Sequence, residues 1–318
     1  MAETFSTVGE GNPRAITGIR RKADGTVQAL AQAVPDGDTV GVQLDGTGST
    51  RFLGIDTPEK RFEQPLGGGQ DLDGPKWEQY LTNPFVNGYP VAQLEAPLAA
   101  HLQARFGSGA GANHHRHAVA AGDHLRQMIE GDEVALGHTA EQFRYYLAFS
   151  YEVFDRYGRF LTFVNRNQPD ANVPGPRPRS YNERQLAAGR ALPYFIWPNI
   201  NPFRESATIV DAVPRPGTSR LVAETGDLKH ARAAVKQARA NGLGVFDPAD
   251  PLRFMAFEVR YLGRAEVPIR AVIDLGTDDP VVLRPQSYFK IANPEDRLFV
   301  PGEFVPLFAA RGWRLEGF

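Results

Sequence analysis

Three short stretches of this chain place carboxylates and arginines together at turns. They are Asp36-Gly37-Asp38-Thr39-Val40, then Arg51 followed by Asp56-Thr57-Pro58-Glu59, and finally Asp155-Arg156-Tyr157-Gly158-Arg159. Carboxylates supply hard oxygen ligands suited to Ca2+ and, beside a held water, a general base. Guanidinium groups pair with oxyanions through two parallel hydrogen bonds. Taken singly, each stretch also reads as an ordinary turn or a solvated loop, since Asp-Gly between alternating apolar runs is a hairpin signal.

In this order and together, the D-G-D-T, R-x4-D-T-P-E and D-x-Y-G-R stretches resemble the pattern of the thermonuclease, or staphylococcal-nuclease-like, family. The resemblance covers residues 26–59, 118–197 and 226–246. It implies an α+β, mostly β fold: an OB-type five-stranded barrel with three helices. The implied activity is Ca2+-dependent endonucleolytic hydrolysis of DNA and RNA with little sequence preference, leaving 3′-phosphate ends. Asp38, Asp56 and the Thr57 carbonyl would hold one Ca2+, for which Mg2+ or Mn2+ could substitute. Glu59 would act as general base or orient the water, and Arg51 and Arg159 would clamp the phosphate. Tyr157 would lie near a nucleotide phosphate. Phe195 and Trp197 stand where the family's tyrosines meet the base, so they keep a stacking face without the hydroxyls. Non-catalytic members of the fold bind nucleic acid or protein, and that remains the alternative, although this chain keeps the whole residue set.

Around these motifs the pattern predicts a three-stranded antiparallel meander. Val27, Ala29 and Ala31 alternate, Asp36-Gly37 turns, Val40, Val42 and Leu44 alternate again, and Arg51 to Ile55 follows. Residues 60–113, beginning directly after Glu59, read as an inserted excursion with one modest helix near Leu94 to Phe106; long loops at a site's rim often act as lids. A helix is expected from Ala118 to Ile129, ending at Gly131, with strands from Phe143 to Val164. Ser180 with Glu183 forms a capping box, and Gly189 marks the helix end. An amphipathic helix spans Asp227 to Ala240, presenting Ala231, Ala234, Val235 and Ala238, while 198–225 reads as a Pro-rich loop. The His114-His115-Arg116-His117 run reads as a solvated helix start sooner than a metal site.

Three units follow from this reading: a loose arm 1–25, a nuclease-like domain 26–244, and a small β-rich module 245–318. The last has strand candidates at Phe254 to Leu262, Pro268 to Leu275, Val281 to Leu283 and Arg297 to Val300, and could serve a protein partner. The chain's 318 residues are consistent with about two domains. With 35 basic and 37 acidic residues, it lacks the basic excess of a protein that holds nucleic acid through many phosphates. Having no cysteine, it can form no disulfide, thiolate metal site or thiol nucleophile. Its 32 glycines and 25 prolines, about 18% of the chain, exceed the usual level near 12% and argue for short elements. No apolar leader or membrane-length run is present, so the expected setting is cytoplasmic, without a membrane.

Overall fold

The computed structural model describes residues 14–17, 29–44, 46–63, 68–85, 89, 92–155 and 157–318. The expected arm, apart from 14–17, and the start of the first expected strand, 26–28, lie outside the described residues. The molecule is mixed α/β, with the strands among the described residues in three sheets.

Strands are numbered along the chain. The first sheet runs in the order β1 (Arg14–Thr17), β7 (Tyr145–Ala148), β8 (Phe160–Arg166), β3 (Gly46–Phe52), β2 (Thr39–Leu44). The edge strands β1 and β2 approach each other but share no ladder, so the described sheet does not close. The second sheet runs β13 (Arg314–Glu316), β11 (Val281–Leu283), β10 (Ala271–Asp274), β12 (Arg297–Val300), β9 (Leu192–Ile196), β4 (Gly54–Asp56). A small hairpin, β5 (Arg61–Glu63) with β6 (Gly69–Asp71), is the third. Gly54, at φ 76°, turns the chain from the first sheet into the second, a conformation that favours glycine.

Alternation along the second sheet buries it on both faces. Ala271, Ile273, Leu298, Val300 and Phe195 enter one hydrophobic core, whereas Val272, Phe299 and Tyr194 enter another. The first core also takes Val40, Phe52, Ile55, Leu125 and Val164 from the segment 26–244. The second joins Leu72, Trp77, Tyr80 and Leu98 of the excursion to Phe254, Phe257 and Leu262 of the C-terminal segment. The boundary expected at 244 therefore separates no cores, because β12 pairs with β9 across it.

Among the described residues there are nine α-helices: α1 (Leu30–Ala33), α2 (Pro75–Thr82), α3 (Ala96–Gln103), α4 (Ala110–Leu136), α5 (Tyr181–Ala187), α6 (Ser219–Ala223), α7 (Gly226–Ala240), α8 (Ala256–Gly263) and α9 (Val305–Ala310). Helix α5 begins as its capping box requires, with Ser180 Oγ accepting from the Glu183 N–H at 3.2 Å, and Gly189 follows in the left-handed region. Helix α7 buries Ala231, Val235 and Ala238 on the expected face.

Four expectations need correction. Leu30–Ala33 is a helical turn where a strand was expected. The excursion carries a hairpin and helices α2 and α3, because its aromatic residues are needed by the second core. Helix α4 runs through Gly131, where nothing crowds a side chain, to a left-handed Gly137. The stretch Phe254 to Leu262 is not a strand but contains α8. The expected three helices are exceeded among the described residues also because α6 falls within 198–225, expected to be a loop, and α9 within the C-terminal segment.

Candidate functional site

The D-G-D-T turn is pinned by close packing. A Cβ on Gly37 would fall 2.5 Å from Ala121 Cβ of α4 and 2.9 Å from Thr57 Cγ2, so the turn accepts only glycine without displacement. Gln185 of α5 adds a hydrogen bond from its amide to the Gly37 carbonyl at 2.6 Å. Held there, Asp38 precedes Thr39, which pairs with Arg51 across the β2–β3 hairpin. That register brings Arg51 Nη1 to Asp38 Oδ1 at 3.0 Å.

Strand β4 supplies the second carboxylate. Ile55 points into the first core, so Asp56 faces the opposite side, beneath α8. Arg51 Nη2 reaches Asp56 Oδ1 at 2.6 Å. From α8, Arg260 donates through Nη1 to Oδ1 at 2.9 Å and through Nη2 to Oδ2 at 2.8 Å, and its Nη1 also meets Glu59 Oε1 at 2.7 Å. The Thr57 N–H donates to Asp38 Oδ2 at 3.1 Å. Glu59 is anchored through its own N–H, which donates to His114 Nε2 at 2.9 Å. With Nε2 accepting, the neutral His114 carries its proton on Nδ1.

Asp38, Arg51, Asp56, Thr57 and Glu59 are thus brought together as the motifs imply. Arg260 joins them from residue separations beyond 200 and was invisible to the motif reading. Its helix carries a recognisable signal: Glu258, at the third helical position, bonds back to the Met255 N–H at 2.8 Å. The histidine run is corrected as well, since His114 is fully buried and His117 nearly so. His114 serves as a hydrogen-bonding link to Glu59 and is not a solvated residue.

Burial acts differently on the carboxylates. Desolvation pushes Asp38 up to about 7, with Asp36 and Asp56 adding to it and Arg51 and the Thr57 N–H opposing. Desolvation also favours a raised value at Asp56, but Arg260 and Arg51 outweigh it and hold that carboxyl below its ordinary value. Glu59 is raised by burial despite Arg260. A pair of neighbouring carboxylates pushed apart in this way is the usual arrangement of an acid/base site.

Arg159 lies outside this cluster. It sits two positions before Leu161, the β8 partner of Arg51, which is about 7 Å along the neighbouring strand. Its Nε pairs with Asp155 Oδ2 at 2.7 Å, and its guanidinium lies over the Tyr157 ring at 5.6 Å. Tyr157 is 62% exposed. Phe195 and Trp197 do not form a stacking platform, and that expectation is corrected: each is 1% exposed. Phe195 alternates into the first core, and Trp197 packs against Phe304 and Phe308 while donating to the Ala212 carbonyl at 3.1 Å.

The implied Ca2+ does not fit the donors as arranged. Every oxygen of Asp38 and Asp56 already accepts a hydrogen bond, most of them from cationic guanidinium groups. Among the described residues no group of three or more His, Asp or Glu side chains is disposed to hold a metal ion. Nor, among them, is any helix long and apolar enough to cross a membrane. A cavity of 610 Å3, lined by Arg105, Phe106, Leu192, Arg253 and Met255 among others, includes no member of the cluster. Compared with known family models and with curated proteins, the chain matches none.

Proposed function

We propose that this protein hydrolyses phosphodiester bonds of single-stranded DNA or RNA at the Asp38–Arg51–Asp56–Glu59–Arg260 cluster. One observation carries the reading: carboxylates and arginines of two separate motifs, D-G-D-T and R-x4-D-T-P-E, meet in a single hydrogen-bonded group. Arg51 and Arg260 are each 18% exposed, and each five-donor fork retains donors beyond those its carboxylates use. They would bind two non-bridging phosphate oxygens and stabilise the charge that grows on them.

Glu59, with its raised proton affinity, takes a proton from a water that attacks phosphorus. The new O–P bond forms as the bond to the 5′ oxygen breaks, leaving a 3′-phosphate and a 5′-hydroxyl that draws its proton from solvent. Asp38 and Asp56 orient the arginines. Arg159 is the second clamp of the motif pattern and would have to leave Asp155 to reach the phosphate. The first sheet, with edges β1 and β2 close together, is read here as an opened OB-type barrel.

The test is digestion of single-stranded DNA and RNA by the wild type and by Glu59→Gln, with Ca2+, Mg2+, Mn2+ or no added metal. Loss of general-base catalysis should slow the variant by about 100-fold or more. A folded wild type that cleaves under none of these conditions refutes hydrolysis. Tight oligonucleotide binding by both forms without turnover would favour the non-catalytic alternative, which the internal pairing of every Asp38 and Asp56 oxygen also suits.

A further inference from the structure

Arg260 stands where the two carboxylate motifs converge, and its placement is built in from behind. Helix α8 is buried along nearly its whole length. Its Glu258, fully buried, accepts from Arg105 Nη1 at 3.0 and 2.9 Å and from the Tyr288 hydroxyl at 2.5 Å. The Leu262 carbonyl accepts from the Tyr80 hydroxyl at 2.9 Å. These contacts join α8 to the excursion and to the second core, so the guanidinium is presented by a fixed helix.

We propose that Arg260 is the resident cation of this site, taking by covalent attachment the Asp56 oxygens that a divalent ion held by Asp38, Asp56 and Thr57 would need. Its fork covers both oxygens of Asp56 and one of Glu59, which is the bidentate carboxylate geometry that suits guanidinium and that lysine cannot reproduce. A divalent ion within ligand distance of Asp56 would lie a few ångströms from two guanidinium groups, and repulsion at that range in a low-dielectric site is severe. Arg260 supplies the same services: it neutralises the carboxylates and offers donors to an incoming phosphate. The C-terminal segment thereby completes the site. The phosphodiester reading enters only in saying what this cation serves.

Calorimetric titration of the full-length protein with Ca2+ alone tests the assignment. The wild type should show no saturable binding up to about 10 mM, above the range of the weakest Ca2+ modules. Arg260→Gln, which removes the charge and leaves Asp56 and Glu59 open, should gain one site with a Kd at or below about 1 mM. Adding Asp56→Asn should abolish that site. A saturable wild-type site removed by Asp56→Asn would overturn the proposal, as would a folded Arg260→Gln that binds no Ca2+. Should Arg260→Gln not fold, the wild-type titration decides alone. Single-stranded DNA cleavage by the wild type should continue unchanged in excess chelator, and cleavage that requires Ca2+ would also overturn the proposal. Absence of cleavage in every form removes the phosphodiester reading and leaves the Ca2+ titrations to decide this one.

Discussion

Arg51 and Arg159 belong to the same motif pattern, yet the fold treats them in opposite ways. Arg51 is tied to Asp38, thirteen residues back, and shares Asp56 with Arg260, 204 residues beyond that aspartate. Arg159 is tied to Asp155, four residues away in its own turn. The first arrangement exists only when two cores and two sheets have assembled, whereas the second can form locally. Charges of the first kind are expensive to disturb, because removing one partner leaves another buried without compensation. Those of the second kind remain wetted and contribute little.

Arg260→Ala should break this contrast most visibly. It leaves the Asp56 carboxylate, 2% exposed, to Arg51 alone, with Oδ2 unpaired, and should destabilise the protein by about 3 kcal/mol, lowering Tm by roughly 5 °C. Thermal unfolding followed by circular dichroism checks it. A change as small as that expected of a surface pair would mean that Asp56 gains water when the arginine is removed, and the cluster would be no more buried in effect than the Arg159 turn.

A second difference lies in titration. Burial holds His114 down at about 3, against 6.5 when unfolded. Between those values the unfolded chain binds the extra proton, so His114 costs stability as pH falls. Asp38 runs the other way: its folded value, about 7, lies above the unfolded 3.8, so it adds stability as pH falls from 7 towards 3.8. From pH 7 to pH 5 each effect is worth on the order of 2 kcal/mol, and the two oppose one another. Relative to wild type, His114→Gln should therefore gain about 2 kcal/mol over that interval and Asp38→Asn should lose about the same. Denaturant unfolding at the two pH values measures both. Parallel slopes for the two variants would show that this region titrates as exposed groups do.

The same contrast explains what the sequence revealed. Motifs at turns were legible because short-range chemistry fixes them: Asp38 and Arg51 meet through a hairpin register, and the helix after Ser180 through its own capping box. Strands β11 and β12 were legible from apolar runs bounded by prolines and polar turns. Helix α8 was not, since Ala256, Phe257, Glu258, Val259, Tyr261 and Leu262 are all buried. A helix enclosed on every side shows no 3.6-residue stripe and reads as a strand. Arg260 was hidden with it. Phe195 and Trp197 misled for a related reason: Phe195 is buried where β9 pairs with Leu298 of β12, and Trp197 packs on Phe304 and Phe308, all more than a hundred residues away, while donating to the Ala212 carbonyl. Long-range pairing of this sort leaves no local trace.

The smallest effect on stability should come from Arg159→Ala, and there the comparison becomes a test of function. Its side chain is 30% exposed and its ion pair spans a single turn, so the loss should stay within about 1 kcal/mol. If Arg159 completes the phosphate clamp, the same change should reduce kcat/KM for single-stranded DNA by about 100-fold or more, the scale of losing one transition-state donor. Asp155→Ala would then release the guanidinium and retain cleavage, but it should cost more stability, about 1–3 kcal/mol, because Asp155 Oδ1 also accepts from the Tyr157 and Arg159 N–H groups of the turn. Both variants cleaving like the wild type would make Arg159 and Asp155 a turn-forming pair only, and the phosphate would belong to Arg51 and Arg260 alone. The contrast between the two arginines would then be one of role as well as burial, because the residue that the motif pattern pairs with Arg51 would have been replaced by one that only the folded chain brings near.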